Sequence, residues 1–207
     1  MTWLIDLDAD PPPALPPGWD GGWSRDALGR GRLRDAADAF AGRTDHADLS
    51  DGELPGLLDG NVADRDMVRL PVGLLVASDA ARAAVDAVDP GRHRTWPITA
   101  RGAYGARRGT RHGLIVRAFG SALTERGSAV RVRPAQPEFG LPRRVRHMPG
   151  GAVALRPDLR PAAALWWDAG LDPSAPLLLC SDALAGRLAG LRVPPLRRCR
   201  ERRAGAS

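Results

Sequence analysis

The chain runs to 207 residues with 43% apolar content, enough to bury one substantial core or two small ones. Its thirty basic residues are all Arg against 24 acids, a net charge of +6 that suits carboxylate or phosphate partners, although a GC-rich coding bias alone would also favour Arg. No apolar run approaches the roughly 20 residues of a membrane span, and the acidic start MTWLIDLDAD lacks the basic and apolar regions of a signal peptide, so a soluble, cytoplasmic protein is expected.

TWLIDLD reads as a first strand with Trp3, Ile5 and Leu7 on one face. The following DADPPPALPPGWDGGW cannot be helix or central strand with five prolines and three glycines, and reads as an extended arm pinned by Trp19 and Trp23. Leu33, Ala36, Ala37 and Phe40 are spaced for a helix over 32–41, and the acidic segment 44–66 reads as a surface connection. Residues 67–77 read as an extended approach and a buried strand, 79–88 as a helix ended by Asp89-Pro90-Gly91, and HRTWPI as a returning strand.

GLIVRAF at 113–119 and the alternating SAVRVR at 128–133 suggest a pair of strands. RRVRHM, the turn PGG and AVALRP read as a hairpin with Val145, Val153 and Leu155 buried. ALWWDAGL is a strand or the end of a helical turn. PLLLCSDALAGRLAGLRVPPLRRC gives a strand, a helix carrying Leu184, Leu188 and Leu191, and a short final strand before a basic tail.

Five of seven positions agree between LLVASDA at 74–80 and LLLCSDA at 177–183, and Arg94 and Arg197 each follow in a returning strand. Two related strand-helix-strand elements are therefore expected. Ser78 and Ser181 fit the N-cap, where a hydroxyl accepts from an orphan helix N–H, while Asp79 and Asp182 complement the positive end of the helix dipole. A nucleophilic serine would need a base and an oxyanion hole, and no Gly-x-Ser-x-Gly elbow surrounds either serine.

His46, His93, His112 and His147 share no metal-ligand spacing, so neither a metal nor a cofactor is expected. Cys180 and Cys199 read as reduced thiols. GAYGARRGTRHG, with Arg107, Arg108 and Arg111, reads as a mobile basic surface loop or a clamp for phosphate, without the setting of a phosphate loop. Adjacent Trp166 and Trp167 either point to opposite faces of a strand, one serving as a partner anchor, or are both buried at a bend.

GLIVRAFGSALTERGSAVRV, RHMPGGAVAL, ALWWDAGL and the closing LLLCSDALAGRLAGL, spread over residues 60–197, resemble in their order a bacterial polymorphic-toxin immunity family, number eleven, formerly a domain of unknown function. The resemblance implies a non-enzymatic protein that neutralises a cognate toxin domain by steric occlusion, and it carries no catalytic residue onto this chain. The strong basicity departs from an inhibitor that mimics nucleic acid.

The expectation is thus one α+β domain over 1–200: an N-terminal arm and helix at 1–60, halves at 61–140 and 141–200, a mixed sheet, and a disordered tail at 201–207. Trp166, Trp167, Arg107, Arg108 and Arg111 are the candidate partner contacts. A cognate toxin is the leading partner. Nucleic acid, held by those arginines and the C-terminal ones, is the alternative, and a small hydrolase or transferase with an unrecognised site is a third.

Overall fold

The computed structural model describes residues 1–9, 54, 57–59, 65–70, 73–101, 107–139, 143–172 and 175–202. The Pro-rich arm, the helix expected over 32–41 and His46 lie outside them. The fold is α+β and sheet-rich, with two α-helices among the described residues.

Two five-stranded mixed sheets organise it. The first contains β2 (Leu57–Asp59), β3 (Met67–Arg69), β4 (Leu75–Ala77), β5 (Arg94–Arg101) and β6 (Arg107–Ile115), in the order β2-β5-β6-β4-β3. Helix α1 (Asp79–Asp86) joins β4 to β5; both strands run antiparallel to β6, which lies between them, so they are parallel to each other. Pro97 is tolerated in β5 because β2 pairs only with Thr99, Ala100 and Arg101, leaving the proline a single neighbouring strand.

The second sheet repeats this plan. Its strands are β1 (Thr2–Ile5), β7 (Phe119–Gly120), β12 (Leu165–Asp168), β13 (Leu177–Ser181) and β14 (Leu196–Arg198), ordered β14-β1-β13-β12-β7. Helix α2 (Asp182–Leu188) joins β13 to β14, and β1 runs antiparallel between them. β3 lines the far side of β4 as β12 lines the far side of β13, antiparallel in both cases. β1, expected in the N-terminal arm, is thus the middle strand of the C-terminal unit.

One apolar cluster joins the units. Met67, Leu75, Ala77, Ala81, Val85 and Leu114 of the first meet Ile5, Leu165, Trp167, Leu178, Leu184 and Leu188 of the second, and α1 packs on α2. Trp3, Ile5 and Leu7 share this face, as the alternation in TWLIDLD requires. A second cluster covers the opposite face of the second sheet, where Leu4, Trp166 and Leu179 meet Leu123, Val153 and Leu155.

That second layer is a three-stranded sheet of β8 (Leu123–Thr124), β11 (Ala154–Leu155) and β15 (Arg200–Glu201). β15 pairs parallel with β11, and the Arg202 N–H donates to the Leu155 carbonyl, so residues 201 and 202 of the expected tail are ordered; residues 203–207 lie outside the described set.

Other expectations are corrected by pairing. Gly113, Leu114 and Ile115 end β6 in the first sheet, whereas SAVRVR forms β9 (Val130–Arg133) in a separate two-stranded ribbon with β10 (Arg144–His147). The segments 113–119 and 128–133 are therefore not partners. Val145, Val153 and Leu155 are buried as expected, but β10 pairs back onto β9 and β11 pairs with β8. Arg107 and Arg108 stand within β6, so the basic stretch is strand from 107 onward, its tight passage through Gly109 (φ 108°) included. Residues 102–106 lie outside the described set.

Candidate functional site

Both Ser-Asp pairs are helix starts. Ser78 has an extended backbone and its Oγ accepts from the Ala81 N–H at 3.2 Å; Ser181 does the same for Leu184 at 3.3 Å. The Ser78 hydroxyl donates to Asp66 at 2.7 Å, and Asp66 also accepts from the Arg192 N–H at 2.9 Å. These two bonds, the Ser78 one foremost, hold the Asp66 carboxyl below its ordinary range. The hydroxyl proton is therefore given to a carboxylate, and among the described residues no imidazole bonds to it.

The next residue shows the correspondence of the units most directly. His112 stands opposite Ala77 and Trp3 opposite Cys180, equivalent positions on the two middle strands. His112 Nε2 lies 2.6 Å from Asp79 Oδ1, and Trp3 Nε1 donates to Asp182 Oδ1 at 2.8 Å. The His112 bond lowers the Asp79 pKa. Each helix-start aspartate is thus tied to a ring on the strand beside it. The correspondence shifts after the helices: Arg197 faces Leu4, whose counterpart Gly113 faces Trp96, so Trp96 rather than Arg94 is the equivalent of Arg197.

Ten residues beyond each helix start, 79 to 89 and 182 to 192, the chain crosses to the other unit. Asp89 Oδ2 accepts from the N–H groups of Ala164 and Leu165 at 2.7 and 2.9 Å, and the Arg192 carbonyl accepts from Asp66 and Met67 at 2.8 and 3.4 Å. Asp89 also meets His93 Nε2 at 3.1 Å, while His93 Nδ1 accepts from the Arg117 N–H at 3.3 Å, which places the ring proton on Nε2. Burial lowers the His93 pKa although Asp89 pulls it up. Both ring nitrogens are occupied structurally.

The remaining buried acids are equally committed. Asp168 accepts from the N–H groups of Ala122, Leu123 and Gly170, and Asp6 pairs with Arg197 at 2.8 Å. Burial pushes the Cys180 and Cys199 thiols up to about 12, far from reactive thiolates. An open cleft of about 420 Å³ is lined by Val88, Asp89, Arg160, Pro161, Trp166 and Ser181. Its Arg160 is already bonded to Thr2 Oγ1 and Glu201.

Trp166 and Trp167 are both 1% exposed, so neither ring is presented as a partner anchor. They do point to opposite faces of β12, but the apolar cluster shared with α1 and α2 covers one face, and the layer of β8, β11 and β15 covers the other. Arg111 is half-buried and its charge acts on Asp66 and Asp79. The side chains of Arg107 and Arg108 lie outside the described residues; of the other three candidates, Arg111 stands on β6 of the first sheet and Trp166 and Trp167 on β12 of the second.

The ribbon carries the feature that sequence reasoning missed. In its register Arg133 stands opposite Arg144 and Arg131 opposite Arg146, so four arginines share one face. All four are exposed, and among the described residues none is engaged by a hydrogen bond or ion pair. The reverse face holds Val130 and His147, both half-buried, with Val145 buried against the body and Val132 44% exposed.

Of the other arginines, Arg69 pairs with Asp8, Arg143 with Glu125, Arg156 with Asp158 and Arg160 with Glu201, whereas Arg117, Arg126, Arg187, Arg198, Arg200 and Arg202 carry no side-chain hydrogen bond or ion pair among the described residues, so it is the facing register that sets the ribbon apart. Like charges directly opposed across a strand pair destabilise it, by roughly a few tenths of a kcal/mol for each pair. The ribbon therefore keeps a charge arrangement that its own folding disfavours. The signal was present in V-R-V-R and R-V-R-H, each with Arg at every second position, but only back-pairing of the second segment gathers them on one face.

No family model matches the chain, and a search of curated proteins finds no match. The resemblance to the immunity family thus rests on the sequence stretches quoted above.

Proposed function

We propose that this protein is a non-catalytic, cytoplasmic binding protein that neutralises a protein partner by occlusion, in the manner of the immunity family that it resembles, with the arginine face of the ribbon as its contact surface. The finer architecture belongs to the same reading: two related strand-helix-strand elements form a rigid body that presents the ribbon, with the Pro-rich stretch as an N-terminal arm.

The observation that carries the proposal is the set of four exposed arginines in fixed register without counter-charge among the described residues. Arg is enriched at protein interfaces, and its planar fork binds carboxylates in two-pronged fashion. The basicity that set this chain apart from a nucleic-acid mimic then indicates an acidic partner surface.

The neighbouring gene should encode a toxin domain, and co-expression with it is the test. Cells should survive with the intact protein and die without it; death in both cases overturns the proposal. The net charge of +6 favours a second reading, nucleic-acid binding, in which the logarithm of the affinity for a short duplex falls linearly with the logarithm of salt concentration. Absence of duplex binding at low salt removes that reading.

A further inference from the structure

We infer that β9 is an open docking edge, to which an extended acidic segment of a protein partner adds as a third strand. The inference rests on the proposed binding function and specifies its chemistry. Among the described residues β9 pairs only with β10, so every second N–H and C=O of β9 points away from the ribbon. β10 has an outer edge of its own among the described residues, but β9 is the more exposed strand, with Arg131, Val132 and Arg133 all exposed whereas β10 keeps Val145 at 5%.

The edge also sets a pattern for its occupant. Side chains alternate between faces along a strand, so a segment lying beside β9 places alternate residues next to Arg131 and Arg133 and the intervening ones next to Val132. Acidic, apolar, acidic is the matching order. A neutral or basic strand gains no ion pair on the arginine face, which gives the edge selectivity by charge.

A peptide fits this edge better than a nucleic-acid backbone. Phosphates accept hydrogen bonds but do not donate them, so they leave the outward carbonyls of β9 unsatisfied, whereas a peptide strand supplies both donors and acceptors. The ribbon strands contain no Phe, Tyr or Trp on which bases could stack, and exposed Val132 gives a phosphate chain nothing to bind.

The test uses the full chain and fluorescein-labelled probes read by anisotropy at physiological salt: a heptapeptide alternating Glu and Val, the same peptide with all backbone amides methylated, a Lys-for-Glu copy, and a short DNA duplex. The Glu/Val peptide should bind, the Lys copy should not, and methylation should weaken binding about tenfold or more because the backbone donors are lost. Arg131→Glu with Arg133→Glu should weaken the Glu/Val peptide to a similar extent. If that variant does not keep the wild-type melting curve, Arg131→Gln with Arg133→Gln replaces it.

Equal binding of the methylated peptide overturns strand addition. Unchanged affinity in the arginine variants overturns the site. A duplex bound more tightly than the peptide, and lost in the same variants, overturns the choice of a protein partner. The inference separates from the proposed function in the co-expression assay: a variant that still neutralises the toxin sinks the ribbon and leaves the function standing, whereas peptide binding without neutralisation does the reverse.

Discussion

Asp89 is where removing one carboxylate should do most damage to the joint between the two units. Its Oδ2 accepts from the Ala164 and Leu165 N–H groups and meets His93 Nε2, and its Oδ1 lies 3.4 Å from Arg92. Asp89→Ala leaves two backbone donors and one imidazole donor without their acceptor. An unsatisfied buried donor costs about 1–3 kcal/mol, and water entering from the adjacent cleft recovers part of that, so a net loss of about 3 kcal/mol is expected. Against a typical stability of about 5–15 kcal/mol this is a large fraction.

Asp89→Asn separates the hydrogen bonds from the charge. Its amide oxygen can occupy the place of Oδ2 and accept all three bonds while the NH2 points toward the exposed Arg92 side, so a cost of about 1 kcal/mol is expected. Urea unfolding of the three proteins at pH 7 measures both differences. An alanine variant within about 1 kcal/mol of wild type, or an asparagine variant as damaged as the alanine one, would show that these hydrogen bonds do not hold the joint.

Three other outcomes follow from the geometry. Ser78→Ala should cost more than Ser181→Ala, about 2 against about 1 kcal/mol by urea unfolding, because Ser78 both caps α1 and anchors Asp66, which in turn holds the Arg192 N–H; equal losses would contradict this. Gly113→Ala places a methyl group where the Trp96 ring lies, so it should destabilise by about 1–3 kcal/mol, and Trp96→Val should relieve most of that in the double variant. Burial lowers the His93 pKa from its ordinary 6.5, so the unfolded chain takes up a proton that the folded one resists. The His93 contribution is complete above pH 6.5 and declines as pH falls from there toward the lowered folded value. His93→Gln should flatten that part of the stability profile, and an unchanged slope would rule it out.

What could be read from the residues alone follows the range of the interactions. The helix starts at Ser78 and Ser181 were legible because a cap is a local code, a hydroxyl three residues before the N–H it accepts from. The shared face of Trp3, Ile5 and Leu7 was legible for the same reason, since alternation along one strand needs no partner. The burial of both Trp166 and Trp167 was not, because it depends on β8, β11 and β15 supplying a second layer from distant parts of the chain.

Pairing choices were the least legible. RRVRHM had a plausible partner ahead of it across PGG and another behind it in SAVRVR, and local pattern does not distinguish them. The arginine face emerges only from the choice actually made. For β1 the obstacle was separation: Thr2 pairs with Ser181, and no local signal spans that distance.

The correspondence between the units has a consequence for how the chain is cut. Along the sequence the first unit runs β3, β4, α1, β5, β6, and the second runs β12, β13, α2, β14, with β1 supplying its fourth strand. The strand order of the second unit is therefore circularly permuted relative to the first: β14 and β1 are neighbours there as β5 and β6 are in the first, without following one another along the chain. Residues 1 and 201 sit together accordingly, the Met1 amino group lying 3.8 Å from the Glu201 carboxylate. A short linker joining residue 202 directly to Met1 would restore the hairpin order, and new ends could then be opened in another loop. In the order of this sequence, β1 must wait for both β13 and β14 before its sheet can close.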